Sequence, residues 1–406
     1  MRSDRQAAQA YDPATVDPEL AEPIIFGAPS IGEEEIEEIV QTLRSGWLGT
    51  GSKTKRFEFQ FASFVGSRFA VATNSCTAAL HLALLAHGVG PGDEVVTSPL
   101  TFVATANVIE HCGAVPVFAD VRESDGNIDP ADVARRVSPR TKAIVPVHYT
   151  GAVSDVPTLR RQHPELPIVV DAAHAVEARY PDGTGSARGG ASCAAYSFYV
   201  TKNLTTGEGG MLVTDDPEIA AEARIRSLHG LDNDAWKRYS SGHYGSYEVV
   251  CPGFKYNMTD LQASLGLHQL ARLESSHARR RAIWERYTEA FADLEAVRIP
   301  PVALEPDRRG RHARHLYTLW FDWEALGLQR EDVVDALADH GVGIGWHFRA
   351  VHLQRYYRER YGYEQGAYPV AERIAEQTIS IPLSTALSDE QVDRVIGAVT
   401  SVVRAR

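Results

Sequence analysis

The stretch CAAYSFYVTKNLTTGEGGMLVTDD (Cys193–Asp216) holds two short runs of small, aromatic and β-branched residues, CAAYSFYV and GGMLVTDD, on either side of a Thr- and Gly-rich loop. Both runs read as strands. A single lysine, Lys202, stands where the first run gives way to the loop. A lone lysine is ordinarily a solvated surface residue, so its place between two strands raises the question of what the amine does.

Upstream, strand-like and helix-like segments alternate from Arg68 onward. RFAVATN is a strand ending at Asn74, and SCTAALHLALLAHGV has helical spacing. GDEVVTSP is a second strand, TFVATANVIEHCG a helix stopped by Gly113, and VPVFADV a third strand. DPADVARRV is a helix with Asp129 as N-cap and Pro130 at its first position. TKAIVPVHYTG, the helix DVPTLRRQHP and the strand PIVVDAAHA complete the series. This order predicts an α/β domain with a mostly parallel central sheet covered on both faces. Ligands in such sheets bind beyond the carboxyl ends of the strands, where Asn74, Ser98, Asp120, His148 and Asp171 fall.

After about residue 258 the texture changes to one long helical stretch, TDLQASLGLHQLARLESSHARRRAIWERYTEAFADL. A smaller α+β region follows: the strand RHLYTLWFDW, the helix REDVVDALADHG, the strand VGIGWHF and the helix DEQVDRVIGAVTSVV. The expected organisation is a loose tail over residues 1–22, a segment near the site over 23–50, a large domain over 51–270 and a small C-terminal domain over 271–406.

The chain has 406 residues, 44% of them hydrophobic, enough for a large core. A formal net charge of -12 argues against a general nucleic-acid surface. The densest basic run, ARRRAIWERY (Ala278–Tyr287), reads as a solvated helix face. No apolar run is long enough to span a membrane, and the N-terminal residues lack a signal-peptide core, so a cytoplasmic location is expected. Cys76, Cys112, Cys193 and Cys251 fit no zinc spacing and no metal is expected. The sequons at Asn203 and Asn257 read as accidental, GTGSKT and GTGSARGG read as turns, and GEEEIEE reads as a helix start.

Asp171 ends an apolar strand, and a carboxylate there needs a charged partner. It reads either as a structural salt bridge or as the counter-ion to a protonated ring nitrogen. Lys202 follows 31 residues later, after one strand, and can reach the same crevice. A lysine that condenses with an aldehyde, with an acid for the pyridinium nitrogen, is the pattern of pyridoxal-phosphate enzymes. NSCTAAL runs from a strand end into a helix start, where free N–H groups and the dipole suit a phosphate. Ser75 and Thr77 add hydroxyls, although ordinary capping by Asn74 or Ser75 has the same geometry. Phe102, after the second strand, is placed to stack on a ring or to serve the core.

DAAHA, SFYVTKNLTTGEGGMLVTDD and GFKYNMTDLQASLGLHQL, in that order, resemble the sugar aminotransferases of the DegT/DnrJ/StrS family. The likeness runs from about Pro29 to Ile396, with SIGEEEIEEIVQTLRSGWLGTG opening it and HLYTL, GIGWHFRAVHLQRYY and SIPLSTALSDEQVDRVI closing it. RTKAIVPVHYTGAVSD, GFKYNMTD and HFRAVHLQRYYRER further resemble the branch that aminates a UDP-4-ketopentose to 4-amino-4-deoxyarabinose. The resemblance implies a fold type I (aspartate aminotransferase-like) transferase and a pyridoxal/pyridoxamine phosphate cofactor. It also implies L-glutamate as donor, a keto sugar nucleotide aminated at C4 as acceptor, and a homodimer with shared active sites.

Carried over by position, Lys202 is the covalent lysine, Asp171 the partner of the ring nitrogen, and His174 the neighbour of the phenolic oxygen. Phe102 stacks on the ring. Ser75, Cys76, Thr77 and Ser197 bind the phosphate, joined by Asn257 from the neighbouring subunit. Cys76 departs from the Gly or Ala often found there. Implied substrate contacts are Trp47, Thr50, Tyr149, Lys255, His315, His347 and Arg349, with Lys255 or Arg349 suited to a diphosphate or carboxylate. His315 and His347 read equally as structural histidines. Amination at C3 or of a cyclitol ketone stays open. Lys202 argues against the ketosugar dehydratases, which have histidine there. A regulatory protein would show a DNA-binding helix pair or a basic face, and the sequence has neither.

Overall fold

The structure, a computed structural model, describes residues 22–232, 248–300 and 310–404. The tail expected over residues 1–22 lies, apart from Glu22, outside the described residues. Helices α1 (Glu33–Ser45) and α2 (Ser52–Val65) lead into β1 (Phe69–Thr73), α3 (Cys76–Ala86), β2 (Glu94–Thr97), α4 (Val103–His111) and β3 (Val115–Phe118). Then come α5 (Pro130–Arg136), β4 (Thr141–Val145), α6 (Val156–Gln162), β5 (Val169–Asp171), β6 (Cys193–Ser197), β7 (Gly210–Thr214) and α7 (Pro217–Ser227). The remainder holds α8 (Asp260–Ala271), α9 (Leu273–Phe291), β8 (Val297–Arg298), β9 (Tyr317–Phe321), α10 (Arg330–Asp339), α11 (Arg355–Tyr361), α12 (Pro369–Gln377), β10 (Thr378–Ile381) and α13 (Asp389–Arg404).

Strand β2 pairs in parallel with β3 and β4, and β5 in parallel with β6. Single parallel bridges, Ile144 to Ile168 and Val147 to Asp171, join the two groups. The spatial order is therefore β3-β2-β4-β5-β6-β7-β1. Strand β7 alone runs antiparallel to its neighbours, β6 and β1. No helix intervenes between Ser197 and Gly210, and a direct loop can only return the chain antiparallel.

The central strands bury both faces, and alternate residues go to opposite cores. Ala194 and Tyr196 of β6 join Phe57, Phe61, Phe198 and Met211 on one side, while Cys193 and Ala195 join Leu80, Leu84, Val95 and Leu212 on the other. A separate core around Tyr287, Tyr317, Phe321, Ile381 and Val395 holds α9, α13 and the antiparallel sheet β10-β9-β8 together.

Local signals act where expected. The Ser75 hydroxyl caps α3 by accepting the Ala78 N–H at 3.1 Å, and Asp129 caps α5 with Pro130 in its first turn. Two expectations are corrected. The long helical stretch is broken at Arg272 (φ -101°, ψ 7°) into α8 and α9. VGIGWHF is not a strand: its backbone pairs only as single bridges, Val342 with Ile24 and Gly345 with Ser380. Its glycines permit close backbone approach instead: a Cβ on Gly343 would lie 2.8 Å from the Ile24 carbonyl oxygen.

The first residue of β7 supports the start of α3. A Cβ on Gly210 would lie 2.3 Å from the Ser75 carbonyl carbon and 2.5 Å from the Cys76 nitrogen. Gly210→Ala is expected to push the α3 N-terminus out of place and cost about 1–3 kcal/mol in urea unfolding. An unchanged midpoint would show that this turn moves freely.

Candidate active site

The carboxyl ends of β1, β5 and β6 and the start of α3 meet at one cavity of about 370 Å³. Ser75, Cys76, Thr77, Phe102, Asp171, His174, Ser197, Lys202 and His347 all line it. The structure thus brings together most of the residues singled out from the sequence. The volume lies in the usual range of small-molecule sites.

Asp171 closes β5 and is buried. One carboxylate oxygen accepts the Thr105 hydroxyl at 2.8 Å and the other the Ala173 N–H at 3.1 Å. Burial pushes its carboxyl above the ordinary range, opposed by these two donors and by the charge of Lys202. Burial likewise lowers Lys202, to about 8, against the pull of Asp171 and Cys76. Each of the pair thus offsets part of the other's desolvation.

Three histidines surround the lysine. The His174 ring packs 4.4 Å from that of His315 and stacks on Phe348 at 5.7 Å. His347 Nδ1 bonds the Ser380 hydroxyl at 2.8 Å. Burial, reinforced by Lys202, holds His174 and His315 well below the ordinary imidazole range and His347 at about 3, so all three are neutral.

The residues fit pyridoxal phosphate on three independent counts. The His174 Nδ1 is buried with no partner among the described residues, as a group awaiting a ligand would be. The first turn of α3 presents N–H groups beside the hydroxyls of Ser75, Thr77 and Ser197, a donor set suited to a phosphate. Phe102 is 59% exposed although it lines the cavity, which leaves its ring free to cover a flat ligand.

The other expected contacts lie elsewhere. Tyr149 is buried behind the cavity, its hydroxyl donating to the His347 carbonyl at 2.5 Å. His315 stands behind Lys202, with its Nε2 3.4 Å from the amine. Arg349 lines a separate cleft with Arg355 and Arg358. Thr50, Lys255 and Asn257 form a cluster beside the end of β1: the Asn257 amide donates to the Thr50 hydroxyl at 2.7 Å, and Lys255 to the Asn257 carbonyl oxygen at 2.5 Å. The Trp47 indole donates to the Thr50 carbonyl at 3.3 Å. Sequence reasoning missed Thr105, Trp346 and Phe348. Thr105, in the first turn of α4, bonds the Thr101 hydroxyl at 2.8 Å.

The DegT/DnrJ/EryC1/StrS aminotransferase family matches residues 29–400. The chain is 49% identical over 382 residues to the spore coat polysaccharide biosynthesis protein SpsC of Bacillus subtilis, covering 93% of this chain and 97% of that one. Among solved structures it is similar to Spr1654 of Streptococcus pneumoniae, assigned as a sugar aminotransferase and solved in a PMP form. The TM-score is 0.85 at 34% identity, over 94% of this chain and 99% of that chain. It is also similar to DesI, solved in the presence of its TDP-sugar product, with a TM-score of 0.84 at 31% identity over 95% of each chain.

The lowered Lys202 makes a prediction for the protein without cofactor. Between pH 8 and 10.5 the unfolded chain holds more protons than the folded one, so stability rises with pH across that window and the burden of the buried cation is full below it. Lys202→Met is therefore expected to be more stable than the parent at pH 7, by up to about 3 kcal/mol, with the advantage shrinking by pH 10. Thermal unfolding across that range checks it. A pH-independent difference would contradict it.

Proposed function

Because the chain belongs to the DegT/DnrJ/EryC1/StrS aminotransferase family and is a pyridoxal-phosphate enzyme of fold type I, we propose that it moves an amino group from L-glutamate to C4 of a keto sugar nucleotide. The observation that carries the reading is that Lys202 and the buried Asp171 line one cavity that also holds the α3 N-terminus. The name of SpsC places it in polysaccharide biosynthesis, which supports a sugar acceptor, and DesI has a TDP-sugar product, which supports a nucleotide-linked one.

In this reading Lys202 would hold the cofactor's aldehyde carbon and Asp171 its ring nitrogen, with His174 toward the phenolic oxygen, Phe102 toward the ring, and Ser75, Cys76, Thr77 and Ser197 toward the phosphate. When bound, pyridoxal phosphate supplies an electron sink for the carbon that loses a proton. Lys202 moves that proton at Nζ. Its lowered pKa of about 8 leaves part of the amine neutral at physiological pH, as a base requires. Asp171, with an oxygen already held by Thr105, is oriented to keep a ring nitrogen protonated. Trp346 and Phe348 wall the cavity and limit water. His347 stands at the same wall as a substrate contact.

Trp47, Thr50, Lys255 and Asn257 are absent from the lining of their own chain's cavity. We assign them to the cavity of a second copy in a homodimer, where Asn257 of the partner subunit reaches the phosphate and Lys255 of the partner subunit meets an anionic substrate group. Arg349 serves the substrate's outer, anionic part.

Amine transfer from glutamate to a panel of 3-keto and 4-keto sugars linked to UDP, dTDP and GDP tests this, with products read by mass spectrometry and NMR. A 4-amino product is expected, and Lys202→Ala is expected to lower turnover by at least about 10⁴-fold. Turnover retained in Lys202→Ala would remove the proposed role, and a 3-amino product would correct the position.

A further inference from the structure

Behind Lys202 the structure holds a chain of buried polar contacts that the proposed reaction does not by itself require. Arg280, from α9, forms an ion pair with Glu177, and both side chains are almost wholly enclosed. The two Glu177 oxygens accept the Asn203 amide at 3.1 and 2.9 Å, and the same amide donates to the Ala313 carbonyl at 2.8 Å. Asn203 Oδ1 then faces His315 Nδ1 at 3.0 Å, and His315 Nε2 faces Lys202 Nζ at 3.4 Å.

Each link fixes the next. The reverse orientation of Asn203 would set its carbonyl oxygen against the Glu177 carboxylate and the Ala313 carbonyl, three acceptors with no proton among them. Asn203 therefore presents an acceptor to His315. His315 Nδ1 must carry the proton, and a neutral ring then leaves a lone pair on Nε2. Lone pair cannot face lone pair, so Lys202 turns an N–H toward His315. Since Lys202 lines the cavity and His315 does not, the lysine's own lone pair is left on the cavity side.

We infer that His315 is a positioning residue whose tautomer is set by Asn203, Glu177 and Arg280, and that it aims the Lys202 amine into the cavity. This rests on the reading of Lys202 as the reacting amine. The other groups that face Lys202 are Asp171 at the end of β5, Cys76 in the first turn of α3, His174 after β5 and His347 before α11. None of them bonds the far nitrogen of His315.

The test uses the full-length protein without cofactor, labelled with ¹⁵N-histidine. In a long-range ¹H–¹⁵N spectrum, the His315 signal is the one lost in His315→Phe. The expected spectrum of the parent protein shows the proton on Nδ1, and a proton on Nε2 would overturn the inference. Glu177→Gln, which lets Asn203 turn over, is expected to admit the Nε2-protonated form. A spectrum unchanged by it would remove the ionic layer from the chain of control. In parallel, acetic anhydride labelling of Lys202 is followed against pH by peptide mass spectrometry, with exposed Lys142 as internal control. The midpoint is expected near 8 in the parent and about one pH unit lower in His315→Phe, where the ammonium has lost its acceptor. Equal midpoints would overturn the inference. Absence of amine transfer by the parent protein with every keto sugar would instead count against the proposed reaction and leave both of these readouts standing.

Discussion

The site depends on a lysine and an aspartate that share one cavity, the buried aspartate at the end of β5 and the lysine in the loop after β6. Neither charge is stable there alone, because burial drives each group toward its neutral form. Here Asp171 is steadied by the Thr105 hydroxyl and the Ala173 N–H, and Lys202 by Asp171. The compromise leaves an amine that titrates near 8 beside a carboxylate with a strong demand for a cation. In the proposed reading a protonated ring nitrogen would meet that demand.

The sheet is what makes this arrangement affordable. Parallel strands β4, β5 and β6 end on one edge, so side chains far apart in sequence converge there without long loops of their own. The reversal at β7 has a second effect. It brings Gly210 against the Ser75–Cys76 turn and ties the N-terminal end of α3 to the strand that follows the Lys202 loop. The start of α3 and the amine are thereby tied to each other by backbone rather than by side chains.

Much of this was legible in the sequence because it was local. Strand ends at Asn74 and Asp171, the Ser75 cap and the Lys202 loop each announce themselves within a few residues. What was not legible is long-range. Arg280 reads as one more cation on a solvated helix face, yet it is buried against Glu177, 103 residues away. Asn203 reads as part of an accidental sequon, and His315 as either a substrate contact or a structural histidine, and neither reading names their partners. No spacing rule predicts such partners, because the chain that joins them crosses both cores. The failure of VGIGWHF as a strand has the same origin: its apolar alternation is real, but its glycines serve contacts with Ile24 and Ser380 rather than a ladder.

The most direct test of the Lys202–Asp171 site is borohydride reduction of the enzyme loaded with excess pyridoxal phosphate, followed by digestion and peptide mapping. A single pyridoxyl adduct on the peptide containing Lys202 is the predicted result. An unmodified Lys202 peptide, or an adduct confined to another lysine, would contradict it.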